Sequence, residues 1–171
     1  RQMKSTLRAA LAGLVTSTCM LSTAYAEDIK VGLLLPYSGV YAALGQDIDD
    51  AFALGLETFG ADSGATFEIV REDDEVKPPV GLAKTKKLIL QDEVDVMVGV
   101  VSSGVLGAIR DTVDGAGVPL IVSNAGNDEA TGEQCSPYIT RISFSNAQVN
   151  RPMGKWLVDQ GVKKIFTIAP D

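Results

Sequence analysis

The sequence has 171 residues, of which 46% are hydrophobic and 22% are charged, and its formal net charge at pH 7 is −7. It contains no histidine, so no catalytic triad of the usual serine–histidine kind can be assembled from these residues. The acidic balance, without a large cluster of Lys or Arg, repels phosphate backbones and argues against nucleic-acid binding.

The first 26 residues contain the three parts of a secretory signal peptide in the expected order. Three positive charges within the first eight residues precede an apolar run from Ala9 to Met20, and an A-x-A cleavage site follows at Ala24 to Ala26. Residues 1–26 carry no negative charge, so their removal changes the formal charge from −7 to −10. The apolar run is shorter than the about 20 residues of a permanent anchor. We therefore expect a periplasmic mature chain that begins at Glu27, without stable membrane insertion.

Two cysteines are present, and cleavage removes one of them. Thr18 precedes Cys19, where lipid attachment usually requires Gly, Ala or Ser, so we prefer cleavage after Ala26 to lipidation. Cys135 remains without a partner in the mature chain. In an oxidising compartment this indicates either a buried free thiol or a partner outside this sequence.

From Ile29 onward, strand-like and helix-like segments alternate, which is typical of βαβ units and a mostly parallel sheet. The first strand, Ile29 to Leu35, is almost continuously apolar, as expected for a strand covered on both faces. An amphipathic helix at 44–60 ends at a glycine suited to a left-handed cap, and a helix at 78–91 begins with two prolines. Further strands are predicted at 67–71, 94–101, 119–123, 138–142 and 164–169, and further helices at 104–116 and 147–160.

Ser102 and Ser103 follow the strand predicted at 94–101 and begin the next helix. The N–H groups of a first helical turn have no acceptor within the helix, so a ligand carboxylate can accept bonds from them and from the serine hydroxyls. Serine is also a preferred helix cap, and the two roles are compatible.

A second polar loop follows the next strand and leaves the same edge of the predicted sheet. Ala125 and Gly126 let a ligand approach the main chain closely, while Asn124 and Asn127 offer side-chain donors and acceptors. The same composition is common in ordinary loops. This loop leaves the same edge of the sheet as Ser102 and Ser103, which we call the serine turn. That shared position favours a ligand-binding role for the loop.

The loop after the first strand carries two tyrosines, Tyr37 and Tyr41. An aromatic ring in this position either forms a wall of a ligand site or covers the core. The sequence pattern leaves both interpretations open for each residue.

The acidic run from Glu72 to Glu75 lacks the spacing and the glycine of a calcium loop. We interpret it as a solvated loop in which Asp73 or Asp74 closes the turn after the second strand. The sequence also lacks a dinucleotide-binding glycine motif, a P-loop and a C-x-x-C pair. We therefore expect no metal and no cofactor.

Six blocks together, in this order, resemble the branched-chain amino acid type of type I periplasmic binding protein, the substrate-binding component of ABC importers. They are residues 29–39, 72–90, 94–99, 102–104, 119–125 and 135–141. The resemblance implies two Rossmann-like lobes joined by hinge strands, with a ligand trapped between them. Residues 27–143 would form the N-terminal ligand-binding lobe, and 144–171 would begin the second lobe. A last strand without a following crossover also makes the chain look like the N-terminal part of a longer protein.

The resemblance implies capture of a small carboxylate-bearing solute, either a branched-chain or other amino acid or an aromatic acid, for delivery to a membrane permease. The family's carboxylate contacts map onto Ser102, Ser103 and residues 125–127. Asn127 stands where amino-acid binders often have threonine, and Asn124 replaces a common proline. These departures leave the class of ligand open.

Two other functions remain compatible with the sequence. The same fold could serve as a ligand sensor that acts on a regulator instead of a permease. A hydrolase with Ser102 or Ser103 as its nucleophile would need a base from outside this sequence.

Overall fold

The computed structural model describes residues 28–167; the expected signal peptide and Cys19 lie outside this part. The strands are β1 (Asp28–Leu35), β2 (Thr66–Asp73), β3 (Val96–Gly99), β4 (Leu120–Val122) and β5 (Ile139–Arg141). The helices are α1 (Ala42–Gly55), α2 (Ala61–Ser63), α3 (Pro78–Leu90), α4 (Ser103–Ala116) and α5 (Asn146–Asp159).

The five strands form one parallel sheet in the order β2-β1-β3-β4-β5. This arrangement confirms the α/β, Rossmann-like fold predicted from the alternating pattern. In β1, Leu33, Leu34 and Leu35 are each 0% exposed. Consecutive side chains of a strand point to opposite faces, so this burial shows that both faces of the sheet are covered.

Helices pack on both faces of the sheet. On one face, Leu44, Ile48 and Phe52 of α1 contact the side chains of β1. On the other face, α3 and α4 form the larger core. The α4 side chains in that core are Val105, Leu106, Ile109 and Val113. Burial of each contributes about 1.5–3 kcal/mol, which fixes the start of α4 against the ends of the strands.

Two predicted boundaries are wrong for identifiable reasons. The strand predicted at 94–101 ends at Gly99, because Gly99 (φ 138°) and Val100 (φ 55°) turn the backbone out of the strand. The helix expected to end at Gly60 continues, because Gly60 is itself helical (φ −64°) within a π-helical turn, and Gly64 (φ 72°) is the left-handed cap.

Two of the expectations for residues 135–167 are wrong. Residues 164–167 do not form the expected strand, and the remainder of that segment lies outside the described residues. Cys135 is exposed, so the buried-thiol interpretation is wrong.

No residue of α5 is buried. Within residues 28–167, no helix combines the length and apolarity needed to cross a bilayer.

A charged network connects the loop after β1 to α1 and β2. Arg71 of β2 donates two hydrogen bonds to the Asp49 carboxylate of α1, at 2.7 and 2.9 Å, and the Tyr37 hydroxyl donates a third at 3.1 Å. Asp49 is only 5% exposed. The hydrogen bonds from Arg71 hold the pKa of Asp49 below its usual value, whereas burial and the Asp49 charge raise the pKa of Tyr37.

This network should make stability depend on pH. A carboxyl group whose pKa is lower in the folded state stabilises the fold above its unfolded pKa of about 3.9 and loses that contribution as pH falls through the folded value. We expect Asp49→Asn to reduce the free energy of unfolding by about 1–2 kcal/mol at pH 7 and by less below pH 4. Urea unfolding of Asp49→Asn and of the exposed control Asp47→Asn, measured from pH 3 to 7, tests this. Equal effects of the two substitutions at every pH would contradict it.

Helices α3 and α4 approach closely at Gly81. A Cβ atom added there would lie 2.5 Å from Cγ1 of the buried Val105. We expect Gly81→Ala to destabilise the protein by about 1–3 kcal/mol through overpacking. The control Gly55→Ala, at a helical position with no neighbouring atom within 4 Å, should stabilise it by about 0.5–1 kcal/mol. Thermal melts measure both changes, and a stabilising Gly81→Ala would show that the contact is not tight.

Candidate functional site

The strand order places a topological switch point between β1 and β3. From β1 the chain moves outward to β2, whereas from β3 it continues in the other direction to β4 and β5. In open parallel sheets, ligands bind at such a point, beyond the carboxyl ends of the strands. The loops that contain the predicted site residues therefore leave the sheet where a ligand site is expected.

A sharp bend after β3 directs the chain toward this point. A Cβ atom at Gly99 would collide with the carbonyl oxygen of Leu34, so glycine is required by the close approach of β1. Val100 then adopts a left-handed conformation that is unfavourable for a β-branched residue. Its N–H donates to Leu34 O at 2.8 Å and its carbonyl accepts from Ala125 N at 3.0 Å. These two hydrogen bonds hold the bend in place.

The bend presents Ser102 and Ser103 at the start of α4, as predicted. Ser102 Oγ accepts a hydrogen bond from Val105 N at 3.4 Å, which confirms the capping interpretation. Ser103 Oγ accepts from Asn146 Nδ2 at 3.3 Å. The partners of both hydroxyls are amide groups, which are not general bases. The N–H groups of Ser103 and Gly104 have no acceptor within the helix and remain available to a ligand.

The loop after β4, residues 124–127, lies against the serine turn and is called the small-residue loop below. Ala125 and Gly126 are buried. Asn127 is committed to the protein itself: its Nδ2 donates to Ser103 O at 3.3 Å, and its Oδ1 accepts from Glu129 N at 2.9 Å. Asn127 thus stabilises the serine turn through a hydrogen bond to the main chain of Ser103, a role that the sequence did not reveal.

A cavity of about 740 Å³ opens in front of the serine turn. Its polar side chains are Ser102, Ser103, Asn124, Asn146, Asn150 and Thr167, and its aromatic and aliphatic ones are Tyr41, Leu44, Val76, Pro78, Val101 and Phe144. The lining residues within 28–167 include no Asp, Glu, Lys or Arg. The wall therefore combines neutral hydrogen-bond donors with an apolar surface.

The predicted site residues divide into two groups. Tyr41, Ser102, Ser103, Asn124 and Gly126 line the cavity. The other three, Tyr37, Ala125 and Asn127, do not line it. Tyr37 and Asn127 form internal hydrogen bonds, and Ala125 is packed in the core.

Sequence reasoning missed the residues around the start of α5, namely Phe144, Asn146 and Asn150, which line the cavity. A signal for this helix start was present. Ser145 and Gln148 form a capping box, in which Gln148 N donates to Ser145 Oγ at 3.1 Å and Ser145 N donates to Gln148 Oε1 at 2.8 Å. The pattern marks where α5 begins but not that this end faces the cavity.

The acidic run is not the solvated loop expected from the sequence, because Glu72 and Asp73 are the last residues of β2 and both Glu72 and Asp74 are buried. Glu72 forms ion pairs with Lys84 and Lys87 of α3, at 2.6 and 2.8 Å. Asp73 Oδ1 accepts from Tyr37 N at 3.0 Å, and Asp74 Oδ1 accepts from Val76 N at 2.8 Å. The prediction that these aspartates close the turn after β2 is confirmed.

Known proteins similar to this chain indicate its family. A family model described as periplasmic binding protein matches residues 28–171. The Leu/Ile/Val-binding protein homolog 6 of Brucella abortus is 29% identical over 168 residues, which is 95% of this chain and 42% of that protein.

Solved structures of solute-binding proteins are also similar. One from an ABC transporter of Rhodopseudomonas palustris, in complex with benzoate, shares 41% identity with a TM-score of 0.73, over 80% of this chain and 38% of that one. The branched-chain amino acid transporter protein LivJ of Streptococcus pneumoniae, in complex with isoleucine, shares 28% identity with a TM-score of 0.64, over 71% of this chain and 35% of that one.

The chain thus spans about two fifths of the length of the curated relative and of these solved structures. Within that span, the parallel sheet order, the switch-point cavity and the family match over residues 28–171 agree. The chain belongs to the type I periplasmic binding protein family, whose matched members are substrate-binding proteins of ABC transporters.

Proposed function

We propose that this protein is an exported substrate-binding component of an ABC importer, which captures a small carboxylate-bearing solute and delivers it to a membrane permease. One observation carries this proposal. Two serine hydroxyls and the first-turn N–H groups of α4 converge on a cavity at the switch point of the sheet. Such a set of neutral donors matches the acceptor oxygens of a carboxylate, and binding involves no covalent step.

The remaining walls suit a ligand with a compact apolar body. Tyr41, Leu44 and Phe144 offer aromatic and aliphatic surface, and about 740 Å³ is within the usual range for small-molecule sites. The relatives solved with benzoate and with isoleucine support an aromatic acid and an amino acid, respectively. Among the described lining residues there is no carboxylate to pair with an α-ammonium group. This wall by itself favours an aromatic acid.

We also propose that residues 27–143 form the first lobe and that 144–171 begin the second. No residue of α5 is buried, and its apolar side chains Val149, Met153 and Trp156 are each more than half exposed. The start of α5 nevertheless lines the cavity through Asn146 and Asn150. A helix that borders the ligand without packing onto the first lobe is consistent with a second lobe that closes over the site.

Ligand-dependent stabilisation tests the function. The full-length protein should gain about 2.7 kcal/mol of stability in the presence of its acid at a hundred times its Kd. A thermal-shift panel of benzoate, 4-hydroxybenzoate, leucine and isoleucine measures this, with benzamide as a matched neutral control. If no acid in the panel raises the Tm above the control, the proposed ligand class is wrong.

The serine contacts predict two separable effects. Ser103→Ala should weaken binding of the carboxylate about tenfold, because a hydrogen bond to a charged group is lost, with little change in Tm. Ser102→Ala should weaken binding and also reduce the free energy of unfolding by about 1 kcal/mol, since the cap of α4 is lost. Isothermal titration and thermal melts measure the two effects, with Ser63→Ala, at the exposed end of α2, as the control for affinity. Unchanged affinity in both variants would exclude the serine turn as the carboxylate site.

A further inference from the structure

Ser103 is held by hydrogen bonds on two sides. Its carbonyl oxygen accepts from Asn127 Nδ2, and its hydroxyl oxygen accepts from Asn146 Nδ2, both at 3.3 Å. The two asparagines come from different parts of the chain, and Asn146 lies 43 residues after Ser103. The side chain of Ser103 therefore has an orientation imposed by α5 as well as by α4.

The direction of the Asn146 bond has a chemical consequence. A serine hydroxyl has one proton to donate, whereas an amide nitrogen can only donate. Because Asn146 Nδ2 donates to Ser103 Oγ, the hydroxyl proton is not used in this contact and remains available to the cavity. A donor bond received by the oxygen also polarises the hydroxyl and strengthens it as a donor.

Asn146 is itself fixed by the small-residue loop. Its N–H donates to Gly126 O at 2.8 Å, and the next N–H, of Ala147, donates to the Asp128 carboxylate at 3.0 Å. A Cβ atom at position 126 would collide with Asn146 Oδ1, so the side chain occupies space that only glycine leaves free. These contacts hold the backbone of Asn146 in place, and its amide lies next to Gly126 and Ser103.

We propose that Asn146 is a specificity-determining positioning residue: by donating to Ser103 Oγ it occupies one acceptor position of this oxygen and directs the hydroxyl proton to the ligand, so that the site prefers a carboxylate to the corresponding primary amide. The inference rests on the proposed function and names how the same site selects its ligand. The NH₂ group of an amide would face the hydroxyls and N–H groups as donor against donor. A donor that becomes buried under a ligand without an acceptor is strongly disfavoured.

Calorimetric titration of the full-length protein tests the proposal with matched ligands. The acid that stabilises most among benzoate, 4-hydroxybenzoate, leucine and isoleucine is compared with its own primary amide. Asn146→Ala should weaken binding of the acid about tenfold. In the Ser103→Ala background the same substitution should have almost no further effect, because Asn146 acts through Ser103. Equal effects of Asn146→Ala in both backgrounds would overturn the proposal.

The nearly isosteric Asn146→Asp variant gives a second, independent readout. An aspartate accepts the Ser103 proton and reverses the bond, so the preference for acid over amide should fall by about a hundredfold or more. Asn150→Asp adds the same charge one helical turn further along the cavity, without contact to Ser103, and should reduce that preference by a much smaller factor. Equal losses in the two variants would attribute the effect to charge alone and overturn the proposal.

The binding results distinguish a wrong ligand class from a wrong role of Asn146. If the wild-type protein binds none of the four acids, the proposed ligand class is wrong. If the wild-type protein binds an acid and Asn146→Asp retains the affinity and the preference, the function stands and the role of Asn146 is wrong. Thermal melts without ligand report whether each variant is folded, and either Asn146 variant alone is sufficient for the decision.

Discussion

Backbone hydrogen bonds between the ends of β1, β3 and β4 are the constraint on which the site depends. Val100 N donates to Leu34 O, Ala125 N donates to Val100 O, and Ser123 N donates to Gly99 O, at 2.8–3.0 Å. They bind the bend after β3 to both neighbouring strands. They therefore link the position of the serine turn to that of the small-residue loop. A left-handed valine is unfavourable in isolation and persists here because these bonds, together with its full burial, determine its conformation.

This constraint produces a surface of fixed neutral donors. Neither serine depends on an ionised neighbour, since the hydroxyls are oriented by the Val105 N–H and the Asn146 amide. Neutral donors lose less hydration free energy than buried charges when a ligand displaces water. Their orientation is set before the ligand arrives, which reduces the entropy lost on binding. Such a wall suits the proposed reversible capture of a solute.

The start of α5 connects this wall to a helix that has no buried residue. Through Asn146 and Ala147 it is hydrogen-bonded to Gly126 and Asp128 in the small-residue loop, whereas the rest of the helix exposes apolar side chains. A movement of α5 would therefore act directly on the loop and on Ser103. In the proposed two-lobed protein, this is a physical route by which closure and ligand contact can affect each other.

The sequence by itself determined the α/β class, the parallel sheet and the position of the serine turn, because each follows from local rules. Apolar runs mark buried strands, two prolines mark the start of α3, and serine caps α4. Packing decided what local rules could not. Tyr37 and Tyr41 look equivalent in the sequence, yet the first donates to Asp49 and the second lines the cavity. Asn127 and Asn146 meet Ser103 only because the strand order brings distant segments to one edge of the sheet.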